Sequence, residues 1–235
     1  MTKKATPQGR TDAMDVSTFM RKEILVCHIR PGDRLKIHEL CARYDVSNGA
    51  VREALSRLAS EGLVLFEPQK GYSAMPVSKA ELIDLTEARI EIEGVCLRLA
   101  IENRTVDWET EIVAESYRLG KIPERSPEDN SLLNERWSTA HSAFHHSLVA
   151  ACPVKHLLRM RQQLFEQSER YRQLSVPLRH ADRDVQREHM DIKDAVLASD
   201  TDVALRLMRN HLLKTTKILL ESDQLGNEPT MLAAG

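Results

Sequence analysis

Four of the nine histidines in this 235-residue chain are spaced to act together. His141 and His145 lie four positions apart in a stretch of helical periodicity, so both side chains project from one face of that helix. His189 and His211 fall on two later helical stretches, at inward-looking positions beside Ile192 and Val196 and beside Met208, Leu212 and Ile218. Neutral imidazoles converging from three helices make a site for a divalent metal, zinc first and nickel or manganese as alternatives, with positions open for water or a ligand carboxylate. Any one of these histidines alone is more readily a packing residue, so the pattern carries the expectation. His146 lies about 100° round the helix from His145 and faces elsewhere. His28, His156 and His180 have no partner pattern and read as surface or packing residues.

A histidine-held metal in a helical bundle could also serve hydrolysis or oxygen chemistry. The sequence, however, has no HExxH, no pair of ExxH motifs, no GxSxG elbow and no phosphate loop. An enzyme is therefore not expected. The nearest competitor is a metal sensor, in which the ion itself is the signal.

A second constellation lies near the N-terminus. Ser47, Asn48, Gly49, Ala50 and Arg52 form the leading turn of a helix that continues through Val51, Ala54, Leu55 and Leu58 to about Glu61. Ser47 can cap that helix, Asn48 can pair with adenine or phosphate, and Arg52 can take a guanine edge or a phosphate. An exposed, polar leading turn backed by an apolar face is what a helix entering the major groove of DNA requires.

The elements around it agree. An amphipathic stretch over 12–29 uses Met14, Val16, Phe19, Met20, Ile24, Leu25 and Ile29, and Arg30-Pro31-Gly32-Asp33 stops it. A short helix from about His38 to Tyr44 and a turn at Asp45-Val46 follow. After Gly62, Val64-Leu65-Phe66 and Tyr72-Ser73-Ala74-Met75 read as strands around a basic tip at Lys70-Gly71. That order is a winged helix-turn-helix. From Ser78 onward helical periodicity dominates, predicting about six helices near 79–104, 107–120, 129–152, 154–175, 181–199 and 202–223. The expected fold is mainly α: a tail over 1–11, a DNA-binding domain over 12–77, an all-α helical bundle for effector binding and dimerisation over 78–223, and a flexible tail over 224–235.

Composition fits that division. The net charge of -2 conceals +3 over residues 1–77 and -5 over the rest, a mild basic bias toward a polyanionic partner. No apolar run is long enough to span a membrane, and the first residues lack the apolar core of a signal peptide, so no membrane partner and a cytoplasmic location are expected. Cys27, Cys41, Cys96 and Cys152 form no CxxC pair and read as reduced, small core residues.

The N-terminal part resembles the GntR superfamily of bacterial regulators. Pro31-Gly32-Asp33-Arg34-Leu35, Glu39-Leu40-Cys41-Ala42, Val46-Ser47, Val51-Arg52-Glu53-Ala54-Leu55, Leu58, Glu61-Gly62-Leu63-Val64 and Gly71 follow that family's DNA-binding signature in order. The resemblance implies that Arg52 contacts operator DNA and that Gly71 at the wing tip approaches the minor groove. Asn48 and His38 stand where members commonly carry arginine, which points to an altered operator. Lys70 beside Gly71 is either a phosphate or minor-groove contact or a solvated turn lysine.

The helical part is similar to the FCD effector domain of the FadR-type branch, through Phe144-His145 with Leu148, Glu188-His189 with Ile192, Asp200 with Ala204, and His211-Leu212. In many members of that branch three histidines and an aspartate bind a divalent metal. His145, His189 and His211 match the histidines, and His141 stands at the aspartate position, either as a fourth nitrogen ligand or as a residue that leaves three histidines to a different metal. Arg89 matches an arginine that either pairs with an acidic ligand or forms a structural ion pair with a neighbouring glutamate. Six helices imply the VanR-like subgroup. The function implied is a repressor that binds a palindromic double-stranded operator as a homodimer, under control of a small carboxylate effector.

Overall fold

The computed structural model describes residues 9–130, 132–178, 183–222 and 225, and it divides the chain into two compact units that meet in sequence at Val77-Ser78. His180 and the terminal tails beyond these ranges lie outside the described residues. In the first unit, α1 (Gly9–Leu25) buries Val16, Met20 and Ile24 against α3 (Asn48–Ser60). α1 ends earlier than its apolar pattern suggests, because Cys27 takes a left-handed conformation at φ 57 and turns the chain. Phe19, expected on the inner face, is 61% exposed.

The helix α2 (Ile37–Tyr44) stops at Asp45, which is also left-handed at φ 53, and this gives the turn its sharpness. Ser47 then caps α3, its Oγ accepting from the Ala50 amide at 3.3 Å. Gly62 at φ 74 closes the helix, where only glycine is free of a Cβ penalty. The strands β1 (Val64–Glu67) and β2 (Gly71–Ala74) pair antiparallel from Val64 opposite Ala74 to Glu67 opposite Gly71. Leu35 and Gly32 bond to Tyr72 and Ala74 and tie the loop before α2 to this wing.

The second unit holds six α-helices among the described residues: α4 (Lys79–Glu102), α5 (Val106–Gly120), α6 (Glu135–Ser147), α7 (Lys155–Ser175), α8 (Val185–Leu197) and α9 (Thr201–Leu220). Ser78, Thr105, Asn134, Asp184 and Asp200 each cap a helix with a side-chain oxygen. α6 starts at Glu135 rather than near 129. Arg125 accounts for the difference: it bonds the carbonyls of Asn130 and Val176 and pairs across to Leu133, holding 122–133 as a loop until Asn134 can cap. The core joins Cys96, Leu97 and Ala100 of α4 to Trp108 and Ile112 of α5, Trp137 and Phe144 of α6, Ile192 and Val196 of α8, and Met208 and Leu212 of α9. Cys96 and Cys152 are buried free thiols, whereas Cys27 and Cys41 are only partly buried. Among the described residues no helix is long and apolar enough to cross a membrane.

Candidate functional site

The face of α6 that Trp137, Ala140, Phe144 and their neighbours turn to the core also carries His141 and His145, and α8 and α9 bring His189 and His211 to the same point. All four rings are buried, and one nitrogen from each lies within 4.8 Å of the others. Ring centroids are 4.4 Å apart for His141 and His145 and 4.8 Å for His189 and His211. The three-helix convergence expected from sequence is therefore present, and His141 is a full member of it. Trp137 stacks on His141 at 4.6 Å, and the Arg172 guanidinium lies 5.3 Å from the centre of the indole.

Burial is the main reason that all four histidines resist protonation; neighbouring imidazoles and arginines add to it at His141, His145 and His189, and arginines alone at His211, where Glu188 opposes it. Neutral rings keep their lone pairs. Nδ1 of His141, both nitrogens of His145 and Nε2 of His189 are buried with no hydrogen-bond partner. A buried polar atom left so costs about 1–3 kcal/mol. These nitrogens belong to three rings, each neutral ring offers one lone pair, and together with His211 they supply four that fit a divalent metal. An all-nitrogen set suits borderline cations better than the harder manganese.

Residues around the quartet hold it in place. Arg161 is almost wholly buried, and its Nη2 donates both to Glu93 Oε1 and to the carbonyl oxygen of His145, each at 2.8 Å. His211 Nδ1 stands 2.8 Å from Glu188 Oε2. Burial disfavours charge on Glu188, but the hydrogen bonds from His211 and Arg183 and the guanidinium charge outweigh that and hold its carboxyl well below the usual range.

Three openings touch the quartet, among them a groove of about 650 Å³ along α9 that reaches His211 and Glu188. Another is a small cavity of about 40 Å³ lined by Arg89, His141, Arg172, His211 and the hydroxyls of Ser168 and Thr216. Arg89 donates to Ser168 Oγ at 2.7 Å and lies over the Phe165 ring, with its Nε enclosed and unpartnered. Among the described residues no glutamate lies within ion-pair distance of it, although the charges of Glu93 and Glu169 act on it from further off. The third opening is a groove of about 630 Å³ between α5, the 121–124 segment and α8, which reaches Trp137, His189 and Arg183.

In the first unit, Ser47, Asn48, Gly49 and Arg52 are exposed at the start of α3, and His38 is exposed on α2 with its ring 3.9 Å from Glu39. Asn48 Oδ1 accepts from Arg52 Nε at 3.3 Å, which aims the guanidinium along the helix and leaves its outer edge unused. Ala50 departs from expectation. It is buried, because its Cβ points to the face shared with Ala54, and it cannot present a side chain to DNA. Lys70 pairs with Glu67 at 2.9 Å across the wing tip, and Gly71 takes φ 86 beside it.

Glu188, Arg172, Arg161 with Glu93, and Trp137 escaped the sequence reading as parts of the site. Trp137 was accessible, since it precedes His141 by one helical turn. The others reach the quartet from different helices, and spacing along one helix cannot reveal that.

Residues 84–214 match the FCD domain family, and residues 15–74 match the bacterial regulatory proteins of the gntR family. The HTH-type transcriptional repressor GlaR of Escherichia coli is 35% identical over 89% of this chain and 96% of its own. The uncharacterized HTH-type transcriptional regulator BphR of Paraburkholderia xenovorans is 34% identical over 91% of this chain and 88% of its own. Among solved structures, E. coli McbR/YncC shares the fold at TM-score 0.73 and 20% identity, over 89% of this chain and 97% of that one. GlaR and BphR are both named as transcriptional regulators, and neither as an enzyme. The chain belongs to the GntR family of bacterial transcriptional regulators, with a DNA-binding helix-turn-helix unit followed by an FCD effector-binding domain.

Proposed function

We propose that the protein is a repressor that binds a palindromic operator as a homodimer and is released by a small carboxylate metabolite held at a divalent metal, zinc first, in the FCD domain. The observation that carries this reading is the buried histidine quartet with its orphaned nitrogens, beside a guanidinium with an unpartnered N–H. His141, His145, His189 and His211 would hold the cation, which supplies positive charge and an open position for a carboxylate. Arg89 would take the carboxylate from the other side. A cavity of about 40 Å³ admits only a head group, whereas the groove of about 630 Å³ has the volume usual for a small-ligand site. The body of the ligand would extend into that groove, beside Trp137 and His189.

On the DNA side, Asn48 and Arg52 would read base edges, Ser47 and the backbone at Gly49 would meet phosphate, and His38, Lys70 and Gly71 would flank the site. The name of GlaR supports repression, and six helices support the VanR-like subgroup. Coupling requires the ligand to favour one dimer geometry by only about 1–3 kcal/mol. The test is a footprint with purified, zinc-loaded protein, repeated with carboxylates and with chelator. A dyad-symmetric footprint weakened by a carboxylate supports the reading. A footprint without dyad symmetry, or an affinity that no carboxylate or chelator alters, overturns it. Release by zinc alone would mark a metal sensor instead.

A further inference from the structure

The four imidazoles bring no negative charge to a divalent cation, and no carboxylate shares their cluster among the described residues. The carboxylate that touches the quartet is Glu188, which lies one residue before His189 yet points across to α9. Its Oε2 stands 2.8 Å from His211 Nδ1. Its other contacts are cationic: Arg183 Nε to Oε1 at 3.1 Å, Arg183 Nη2 to Oε2 at 3.0 Å and Lys214 Nζ to Oε1 at 3.0 Å. Arg183 also donates to Thr215 Oγ1 at 3.1 Å and to the His211 carbonyl at 3.3 Å, so the clamp is fastened to the helix that carries His211.

A carboxylate held in this way only accepts. Nδ1 of His211 must therefore carry the ring proton, which leaves the Nε2 lone pair as the donor toward the quartet. His211 is thus the ring whose second nitrogen has a carboxylate partner. His145 has both nitrogens unpartnered, and His141 and His189 each have one.

We propose that Glu188 is the positioning residue of this site. Resting on the metal-site reading above, it holds the proton of His211 on Nδ1 and so fixes that ring as an Nε2 ligand. Arg183 and Lys214 hold the carboxylate where it can do so.

The test compares wild type, Glu188→Gln, Glu188→Ala and Lys214→Ala as full-length proteins, with zinc affinity measured by competition against a chelating indicator and folding checked by circular dichroism. Loss of an outer carboxylate partner typically weakens metal binding 10- to 100-fold. Glu188→Ala should show that loss, and Glu188→Gln a smaller one. Lys214→Ala, which removes an exposed contact to the other oxygen, should stay within about two-fold. Nitrogen-15 histidine spectra of the zinc-loaded wild type should show His211 protonated at Nδ1 with that N–H shifted downfield by its carboxylate partner, and the downfield shift should vanish in Glu188→Ala, which a merely structural role would not require. If Glu188→Ala does not fold, the Gln variant and the wild-type spectrum decide. Wild-type zinc affinity in folded Glu188 variants, or His211 coordinating through Nδ1, overturns the inference alone. A wild-type chain that takes up no zinc overturns the site itself and the inference with it.

Discussion

Lowering the pH from about 7.5 to about 5.5 with a chelator present places protons on the unfolded chain that the folded quartet refuses. His141, His145 and His189 lie well below the ordinary value of 6.5 in the folded state, chiefly through burial. A base whose folded pKa is depressed contributes fully above its unfolded pKa, and stability falls as the pH drops below it. One unit below 6.5, each such histidine removes about 1.4 kcal/mol, so three remove about 4 kcal/mol. His211, lowered less because Glu188 partly offsets its burial, adds a smaller part. Glu81, raised by burial, works the other way, since it gains its proton first in the folded state. Against a usual total of about 5–15 kcal/mol, the loss is large. Both tryptophans, Trp108 and Trp137, lie in the helical domain, so urea unfolding followed by tryptophan fluorescence reports that domain alone. His141→Asn should shrink the pH difference by about 1.4 kcal/mol. A metal-free wild type whose stability differs by less than about 1 kcal/mol between the two pH values would refute the linkage reasoning.

Arg161→Met should destabilise the domain by about 3–5 kcal/mol, because it strands the buried Glu93 carboxylate and the His145 carbonyl; adding Glu93→Leu should recover most of that in urea unfolding. Arg52→Ala should cost about 1–3 kcal/mol of operator affinity in gel-shift titrations and relax base preference, whereas Lys70→Ala should weaken all sequences alike and lower the salt slope by about one. Zinc uptake should change the emission of Trp137, which stacks on His141, and Trp137→Phe should remove that change although Trp108 remains. Arg89→Met should leave zinc affinity near wild type and weaken carboxylate binding by about 1.5–3 kcal/mol in calorimetry, the worth of a hydrogen bond to a charged group.

The helix-turn-helix was legible because its signals are local. Cap, turn, apolar stripe and glycine stop each fall within a few residues, and the structure places α2, α3 and the wing where those signals put them. The quartet was legible for a different reason: histidine is costly to bury unpaired, so four of them on apolar faces had to share a purpose. Sequence was least informative where long-range partners decide. The loop before α6 exists because Arg125 reaches the carbonyl of Val176, and nothing local to residues 129–134 announces that. Ala50 was misplaced because a small residue in a leading turn suits either face. Glu188 was noticed only as a neighbour of His189, whereas its role follows from the angle at which α8 presents it to α9.

The ligands of the quartet come from α6, α8 and α9, and two of the three pairings join helices distant in the chain. No fragment shorter than most of the helical domain can therefore assemble the site. Only His141 and His145 are available to a growing polypeptide, and two nitrogens on one helix bind a cation weakly. A cation held by all four histidines would therefore be bound only as the helical domain itself assembles, so its affinity would be tied to that domain's folding free energy.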